Sequence, residues 1–596
     1  MSKPSIWEVL FDKEEISKLA ERSKRIYSRE FSGSVTQRLK RILSGRFFRF
    51  ARALSELLAH ISTRVYGTAL LCFGLLGTAM SLLGFGADQS IANPIIGILS
   101  ALLAIPFLLS EKPLPILLQD FKPTEYIFFE LFCMKRHTVM ESERRFPISV
   151  AIIIGCVPAL LSTALPLWQI ALIIIAIVCA YIGIESPEFI FFLSLFALPY
   201  IRYIPSGELV LSLALVFAVI SFGIKVSHGR RVLYIEQYDI LIGVMLLFIL
   251  ISGIFIKGIE SFSGSVRLIV LAFGYTLAGN IITNRRLAQL SANAIVISGS
   301  IASVISLIQF ILLLITSNFV ITPDNIAFVL ARADGVAVLL MISIVYASGM
   351  IYQSTGKKRG AYIASAIICI IALILSGEMF AITSLLLGIA AYAALKLNRF
   401  AGLLIPLLLA ASVAILLLPL DVLDFIFNYS PSVVSAEELF RLWQGSLTAF
   451  SNNLLVGIGI GKESFMAEME ALGIFGHNDS SNLFIELGLE AGVFALVAFI
   501  LLLLTRLKHR ALQYPYVRST EIRRMSNLSE VCLFVLLAFG MVNYIWSDSS
   551  AYYLFWCIFG IGSASLRVAK KDYDDRKVYY EEDSAFDSSM IDIEIG

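Results

Sequence analysis

The chain alternates apolar stretches about as long as a membrane-spanning helix with short polar segments. Crossing a bilayer takes about 20 consecutive apolar residues. The stretches lie near 66–86, 91–110, 148–166, 168–184, 187–201, 207–225, 238–256, 264–282, 292–316, 335–354, 361–377, 379–396, 401–420, 484–506, 528–546 and 551–568. This pattern predicts an all-α fold: a polytopic transmembrane helical bundle of about sixteen helices.

One long segment interrupts the pattern and divides the chain further. Residues 421–483 are polar for about 60 residues and are predicted to form one large extracytoplasmic loop. The predicted organisation is a basic, amphipathic cytoplasmic segment (1–65), N-terminal transmembrane helices (66–234), a second transmembrane domain that contains the loop (235–568) and an acidic cytoplasmic tail (569–596). The N-terminal segment either rests on the anionic inner leaflet or packs on the bundle.

Composition and charge distribution support membrane insertion. Hydrophobic residues make up 58% of the chain and charged residues only 15%, whereas soluble proteins carry about 25% charged residues. With the N-terminus inside, all but six of the 47 Lys and Arg fall on the cytoplasmic side, as the positive-inside rule requires. The outward six are Arg202, Lys257, Arg267, Arg332, Arg441 and Lys462. We therefore predict a multi-pass cell-membrane protein with both termini cytoplasmic.

The outer loop carries the candidate chemistry. Gly457-Ile-Gly459-Ile-Gly461 predicts a tight turn or, alternatively, an anion cradle built from backbone N–H groups. No Walker lysine–serine pair accompanies it, which argues against a nucleotide loop. His477 is the one histidine on the outer side in this topology. Glu486 and Glu490 lie inside the apolar run that follows, where a charge is expected to face protein or water.

The order of these residues resembles the O-antigen ligase and polymerase superfamily. The resemblance rests on Arg441-x-Trp443, Gly457-Ile-Gly459, Phe465, and Asn482-Leu-Phe-Ile-Glu486-Leu-Gly-Leu-Glu490-Ala-Gly492. Asn543-Tyr-Ile-Trp546 and Phe555-Trp556 look like the last helices of its Gram-positive members. The motifs cover about residues 440–560.

The resemblance implies a glycan-transferring enzyme of the membrane that needs no cofactor or metal. Its partners would be membrane lipid, an undecaprenyl-pyrophosphate-linked glycan donor and a glycan acceptor, and no nucleic acid. Outward arginines would hold the pyrophosphate, with Arg441 as the strongest match and Arg332 as a second cation. A base would take the proton of the acceptor hydroxyl. His477, Glu378 and Asp479 are the candidate catalytic residues, and Asp548 is a further carboxylate that could serve.

The chain departs from the family pattern at the histidine. A register that starts at His477-Asn478 keeps the histidine but places serines where an aromatic residue and a leucine belong. A register that starts at Ser481-Asn482 matches more positions and puts serine in place of histidine, with His477 one turn earlier if that stretch is helical. Two family arginines are also replaced, within Ser376-Gly377-Glu378 and Ser547-Asp548-Ser549-Ser550.

We therefore predict an inverting, metal-independent glycosyltransferase that ligates or polymerises lipid-linked glycan at the outer face, in cell-surface polysaccharide biosynthesis. Gly457, Gly459, Asn482, Glu486 and Glu490 are expected to shape the loop and its turn. Two alternatives stay open: a transporter of lipid-linked glycan or a small anion, and a non-catalytic scaffold for glycan assembly. The oligomeric state is left open.

Overall fold

The computed structural model describes residues 61–85, 92–125, 128, 148–167, 169–171, 173–174, 182–183, 186–203, 207–227, 231, 233–256, 258–316, 334–376, 378–396, 436–513 and 520–569. These residues are helical or lie in turns, apart from one isolated antiparallel bridge between Ser62 and Pro113. The predicted all-α class is confirmed. The chain divides into two compact units, one of residues 1–190 with 217–233 and one of residues 191–216 with 234–596.

The principal helices are named here in chain order. They are α1 Thr63–Leu82, α2 Ala92–Leu108, α3 Leu114–Asp120, α4 Ile148–Leu160, α5 Pro187–Ala197, α6 Gly207–Ser227, α7 Gln237–Phe255, α8 Ile259–Ile281, α9 Arg285–Thr316, α10 Asp334–Ile351, α11 Gly356–Leu375, α12 Met379–Lys396, α13 Ala436–Asn452, α14 Lys462–Ala471, α15 Leu483–Gln513, α16 Thr520–Phe539 and α17 Ser549–Ala569. The unit boundary falls within α5 and within α6.

In the first unit, α1 packs tightly on α2 and α4 through small residues. A Cβ added at Gly74 would lie 2.6 Å from the carbonyl oxygen of Gly97 in α2. A Cβ at Gly155 of α4 would lie 2.2 Å from the carbonyl oxygen of Ala69. Close backbone approach through small residues is typical of helix packing in lipid, where no hydrophobic effect drives helices together.

In the second unit, α17 is the central helix. Nearly all of its residues are buried, whereas the other candidate membrane spans keep large exposed apolar faces. Tyr553 of α17 shares a hydrogen bond with Ser194 of α5 at 2.6 Å between the two hydroxyl oxygens. Around α17, α7 packs on α8 and α15, while α10 packs on α9, α11 and α16.

The described helices suit a protein that passes through the membrane several times. Seven of them are long and apolar enough to cross a bilayer, and six shorter helices are apolar as well. Leu102, Leu103, Ile153, Leu213 and Ile389 are among many large apolar side chains that remain exposed, as lipid-facing positions require. The span predicted at 401–420, the segment 1–60 and the tail from Lys570 lie outside the described residues.

Two details of the predicted spans are wrong. The apolar stretch 528–546 was expected to be one helix, but α16 ends at Phe539 and a turn with a short 3-10 helix, Ile545–Ser547, follows. Hydropathy does not distinguish α16 from the turn that follows it. Tyr544, Ile545 and Trp546 of the turn are as buried as the helix residues.

The charge count placed Arg506 and Arg510 on the cytoplasmic side, at and beyond the end of the predicted span 484–506, yet both lie within α15 and are buried. Arg506 pairs with Glu530 of α16, with 2.8 Å between Nε and Oε1. Arg510 donates to the side-chain oxygen of Asn527 at 2.6 Å. Such partners are what allows a guanidinium to leave water.

Candidate functional site

The site is built around a break in α15. Gly492 has φ 82° and ψ 174°, which separates the helix into two parts at this residue. The Val493 N–H, which would ordinarily donate to Leu489, donates instead to the carbonyl of Leu454 at 2.8 Å. The carbonyls released by the break accept from the segment before α14: Leu489 from the Ile458 N–H at 2.8 Å and Glu490 from the Gly459 N–H at 3.2 Å. Residues 454–459 therefore close the break.

The glycines of this segment allow that approach. Gly457 has φ 78°, and a Cβ there would lie 2.4 Å from the carbonyl oxygen of Glu490. The five N–H groups of residues 457–461 all donate within the protein, to Asn453, Leu489, the Glu490 main chain, the Ser261 hydroxyl and the Glu490 carboxylate. The turn thus has no N–H left over to cradle an anion.

Glu490 is the residue on which these contacts converge. Its carboxylate accepts from the Gly461 N–H at 3.1 Å and from the Tyr544 hydroxyl at 2.6 Å. Its main-chain carbonyl also accepts from the Ser252 hydroxyl at 2.5 Å. Burial, together with the neighbouring Glu490 carboxylate, raises the pKa of Tyr544 well above its usual value, so this hydroxyl stays a donor. Glu490 holds the loop, α7, α15 and the turn after α16 together.

Glu486 lies one turn earlier on the same helix and fixes the other end of the loop. Its carboxylate accepts from the Ser480 N–H at 2.7 Å, and the Ser480 carbonyl accepts from the Trp443 indole at 3.0 Å. Trp443 belongs to α13, so Ser480 joins α13 to α15. Glu486 is buried, and the loop contacts it through the backbone N–H of Ser480.

Asn482 begins α15. Its side-chain oxygen accepts from the N–H groups of Phe484 at 2.9 Å and Ile485 at 3.1 Å, which is helix N-capping. Its amide also donates to the carbonyl of Met541 at 2.7 Å. The Leu483 N–H donates to Gly540 at 2.7 Å, so the start of α15 and the end of α16 lie at the same end of the bundle.

Arg441 and His477 both take part in the contact between α13 and residues 473–477. The His477 Nε2 lies 3.2 Å from a carboxylate oxygen of Glu438, and Glu438 precedes Arg441 by one helical turn. Arg441 is exposed and donates to the carbonyl of Gly473 at 3.3 Å. Residues 477–482 are not helical, so the condition under which His477 would lie one helical turn before Ser481 is not met. His477 contacts Glu438 of α13 instead.

The remaining predicted residues lie in different places. Asp479 follows His477 and accepts from the Ser481 N–H at 2.9 Å. Glu378 is buried in the turn between α11 and α12, helices other than those that carry Arg441 and His477. Asp548 caps α17, accepting from the N–H groups of Ser550 at 2.6 Å and Ala551 at 3.1 Å. Arg332 lies outside the described residues.

The sequence did not reveal Glu438 as the partner of His477, Ser480 as the donor to Glu486, or Tyr544 as the donor to Glu490. Tyr544 was read only as part of an aromatic helix end, and its partner is 54 residues away along the chain. Two carboxylates four residues apart in an apolar run must find hydrogen-bond donors when they are buried. This requirement was the feature of the sequence that indicated such partners. Across the described part of the chain, no group of three His, Cys, Asp or Glu is arranged to hold a metal ion.

Comparison with known families places this site in context. The family model described as O-antigen ligase matches residues 364–500, from within α11 to the second half of α15. The matched segment contains Glu378, Arg441, the glycine turn, His477, Glu486 and Glu490, and it excludes Arg332 and the Tyr544 turn. No curated protein matches the chain.

Proposed function

Since the chain is a member of the O-antigen ligase family through the domain at residues 364–500, we propose that it transfers glycan from undecaprenyl pyrophosphate onto a sugar hydroxyl at the outer face of a bacterial membrane. The observation that carries the proposal is the pairing of a cation and a base on one loop. Arg441 is exposed, and His477 pairs with Glu438, which precedes Arg441 by one turn of α13. Both belong to the matched domain.

The proposed role of Arg441 is to bind the donor pyrophosphate. The guanidinium has five N–H donors, and one of them reaches Gly473 at 3.3 Å, a long and weak contact that a phosphate can replace. A charge-assisted bond to a phosphate oxygen is roughly twice as strong as a neutral one. It also stabilises the negative charge that grows on the pyrophosphate as it leaves. Arg332 is proposed as a second cation.

The proposed role of His477 is to take the proton of the acceptor hydroxyl. The acceptor oxygen then attacks the anomeric carbon, the bond from that carbon to the pyrophosphate oxygen breaks with its electron pair, and the configuration inverts. Glu438 orients the imidazole, since a carboxylate on one ring nitrogen fixes the ring and its tautomer. Asp479, two residues away, is the alternative base, and Glu378 is the least favoured of the three because it is buried on other helices.

Reconstitution tests the proposal. Proteoliposomes that contain the purified chain, a radiolabelled lipid-pyrophosphate oligosaccharide and an acceptor glycan should yield labelled polymer or ligated product. Arg441→Ala should abolish the product and Arg441→Lys should retain part of it. The exposed Lys462→Ala is the matched control, because it removes a cation of the same loop that has no proposed role.

A scaffold that binds lipid-linked glycan without turnover is the second candidate. It is favoured by Glu378 and Asp548, which stand in segments where family arginines are replaced. Asp548 caps a helix here. Saturable binding of the labelled donor with no product would support the scaffold and reject the transferase.

A further inference from the structure

The opposite end of the second unit carries a groove that the proposed reaction does not use. The start of α15 and the end of α16 lie together near the loop, so the start of α16 and the end of α17 lie at the far end. A shallow groove opens there between α9, α16 and α17. It is lined by Arg285, Gln289, Glu521, Met525, Ser565 and Val568, among others.

The groove has an apolar floor and a polar rim. Ile522, Leu566, Val568 and Ala569 form a buried apolar cluster beside it. On the rim, Glu521 pairs with Arg285 and accepts from the Gln289 side chain at 3.1 Å.

Exposed cations lie at the same end of the unit as the groove. The first turn of α11 presents Lys357, Lys358 and Arg359, all exposed. Two contacts place this turn at the same end: Arg524 of α16 donates to the Tyr352 carbonyl at 3.2 Å, and Tyr362 donates to Asn293 of α9 at 2.8 Å. The helices α9, α11 and α16 therefore each carry cations at this end of the unit.

The chain itself supplies a segment of matching charge. Residues 578–596 contain six carboxylates (Glu581, Glu582, Asp583, Asp587, Asp592 and Glu594) and no Lys or Arg. They also contain Tyr579, Tyr580 and Phe586. The tail departs from Ala569, which is itself buried in the apolar cluster beside the groove. A short tether holds such a segment near its site at an effective concentration in the millimolar range.

We propose that the acidic tail, residues 578–596, binds back onto this groove. Its carboxylates pair with the cations that α9, α11 and α16 carry at this end of the unit. The contact is electrostatic at an exposed surface, so salt weakens it. The tail would thus form an intramolecular contact with the end of the bundle that is remote from the candidate site.

Zero-length cross-linking tests the proposal in the full-length chain, held in nanodiscs of zwitterionic lipid. A carbodiimide joins carboxylates to lysine amines only when they are in contact, and mass spectrometry identifies the linked residues. We expect links between Lys357 or Lys358 and Glu581, Glu582 or Asp583. In a mixture of isotope-labelled and unlabelled protein, both peptides of each cross-linked pair should carry the same isotope label, because the link is intramolecular.

Charge reversal sharpens the test. Arg285→Glu combined with Arg359→Glu should lower the yield of these links at least several-fold, as should 0.5 M salt or an excess of a synthetic peptide of residues 578–596. Lys122→Glu, which changes an equally exposed lysine in the first unit, should leave the yield unchanged. Links that form only between different copies, or a yield that peptide and salt do not change, would overturn the proposal. The experiments with added peptide and added salt use the wild-type protein, so they do not depend on whether a variant folds.

Discussion

The hydroxyl of Tyr544 lies 2.6 Å from a carboxylate oxygen of Glu490 and donates a hydrogen bond to it. Tyr544 belongs to the turn between α16 and α17, and Glu490 to the turn of α15 just before its break. The same carboxylate accepts from Gly461 at the start of α14. One buried side chain therefore connects the candidate loop to two parts of the membrane bundle.

Tyr544→Phe should destabilise the protein because it leaves a buried carboxylate oxygen without its donor. The expected loss in the free energy of unfolding is about 1–3 kcal/mol. Thermal unfolding in detergent measures it, as a lower midpoint. Tyr352→Phe is the control, since the Tyr352 side chain is 78% exposed and should tolerate the change. Equal midpoints for the two variants would contradict the role of the Tyr544 hydroxyl.

Gly492→Ala should be strongly destabilising for two reasons. Its φ of 82° with ψ of 174° is a region that is essentially limited to glycine, and occupying it costs about 1–3 kcal/mol. The added Cβ would also lie 2.3 Å from the carbonyl oxygen of Leu455. Gly243→Ala in α7 is the control, because nothing lies within 4 Å of a Cβ there. We expect the first variant to lose folded yield and the second to match the wild type in size-exclusion chromatography.

Arg506→Met should destabilise the protein more than the double variant Arg506→Met/Glu530→Leu. Removing one partner leaves a buried charge uncompensated, which costs about 3–5 kcal/mol, whereas replacing both with apolar residues is often close to neutral. Both side chains are almost fully buried, at 2% and 4% exposure. Thermal midpoints for the two variants and for Glu530→Leu complete the cycle. A double variant as unstable as the sum of the singles would show that the pair is not coupled.

Glu438→Gln should lower transfer activity if His477 is the base. We expect a decrease of about 10-fold, less than the 10²–10⁴-fold that a general base itself contributes, because the imidazole remains but is less well oriented. Glu437→Gln changes the neighbouring exposed carboxylate and should retain full activity. Thermal midpoints should be equal for both variants, which separates orientation of the base from folding.

Lys462→Cys should react with a membrane-impermeant maleimide in intact cells, because α14 begins there on the loop proposed to face outward. Wild-type protein treated in the same way measures labelling of the native cysteines. Lys357→Cys, at the end of the bundle proposed to face the cytoplasm, should be labelled only after the cells are permeabilised. The reverse pattern would place the loop on the wrong side for the proposed chemistry.

Much of the helical architecture follows from the pattern of apolar residues. The prediction of a helix at 379–396 matches α12, since polar residues bound that stretch on both sides. The prediction failed at 528–546 because the turn after Phe539 is buried and therefore apolar. It also failed at Arg506, where the helix continues past the apolar run and a partner on α16 compensates the charge. Sequence position alone does not reveal such partners.

The candidate site was predictable only in part. Glu486 and Glu490 stand out as charges within an apolar run, and Asn482 stands out just before it. The donors that these carboxylates bind are Ser480, Gly461 and Tyr544, of which the last two lie 29 and 54 residues from Glu490. The sequence does not show that His477 pairs with Glu438, because residues 477–482 are not helical and the two residues are far apart along the chain.

The pairing of Arg506 with Glu530 has a consequence for biosynthesis. The two residues are 24 positions apart, so translation of α15 is complete before its counterion has been made. A guanidinium without its counterion opposes insertion, by about 2.5–3.5 kcal/mol at the centre of a helix and by less near an end. We therefore expect this end of α15 to wait at the water interface of the translocon until α16 emerges, so that the two helices partition into lipid as a hairpin.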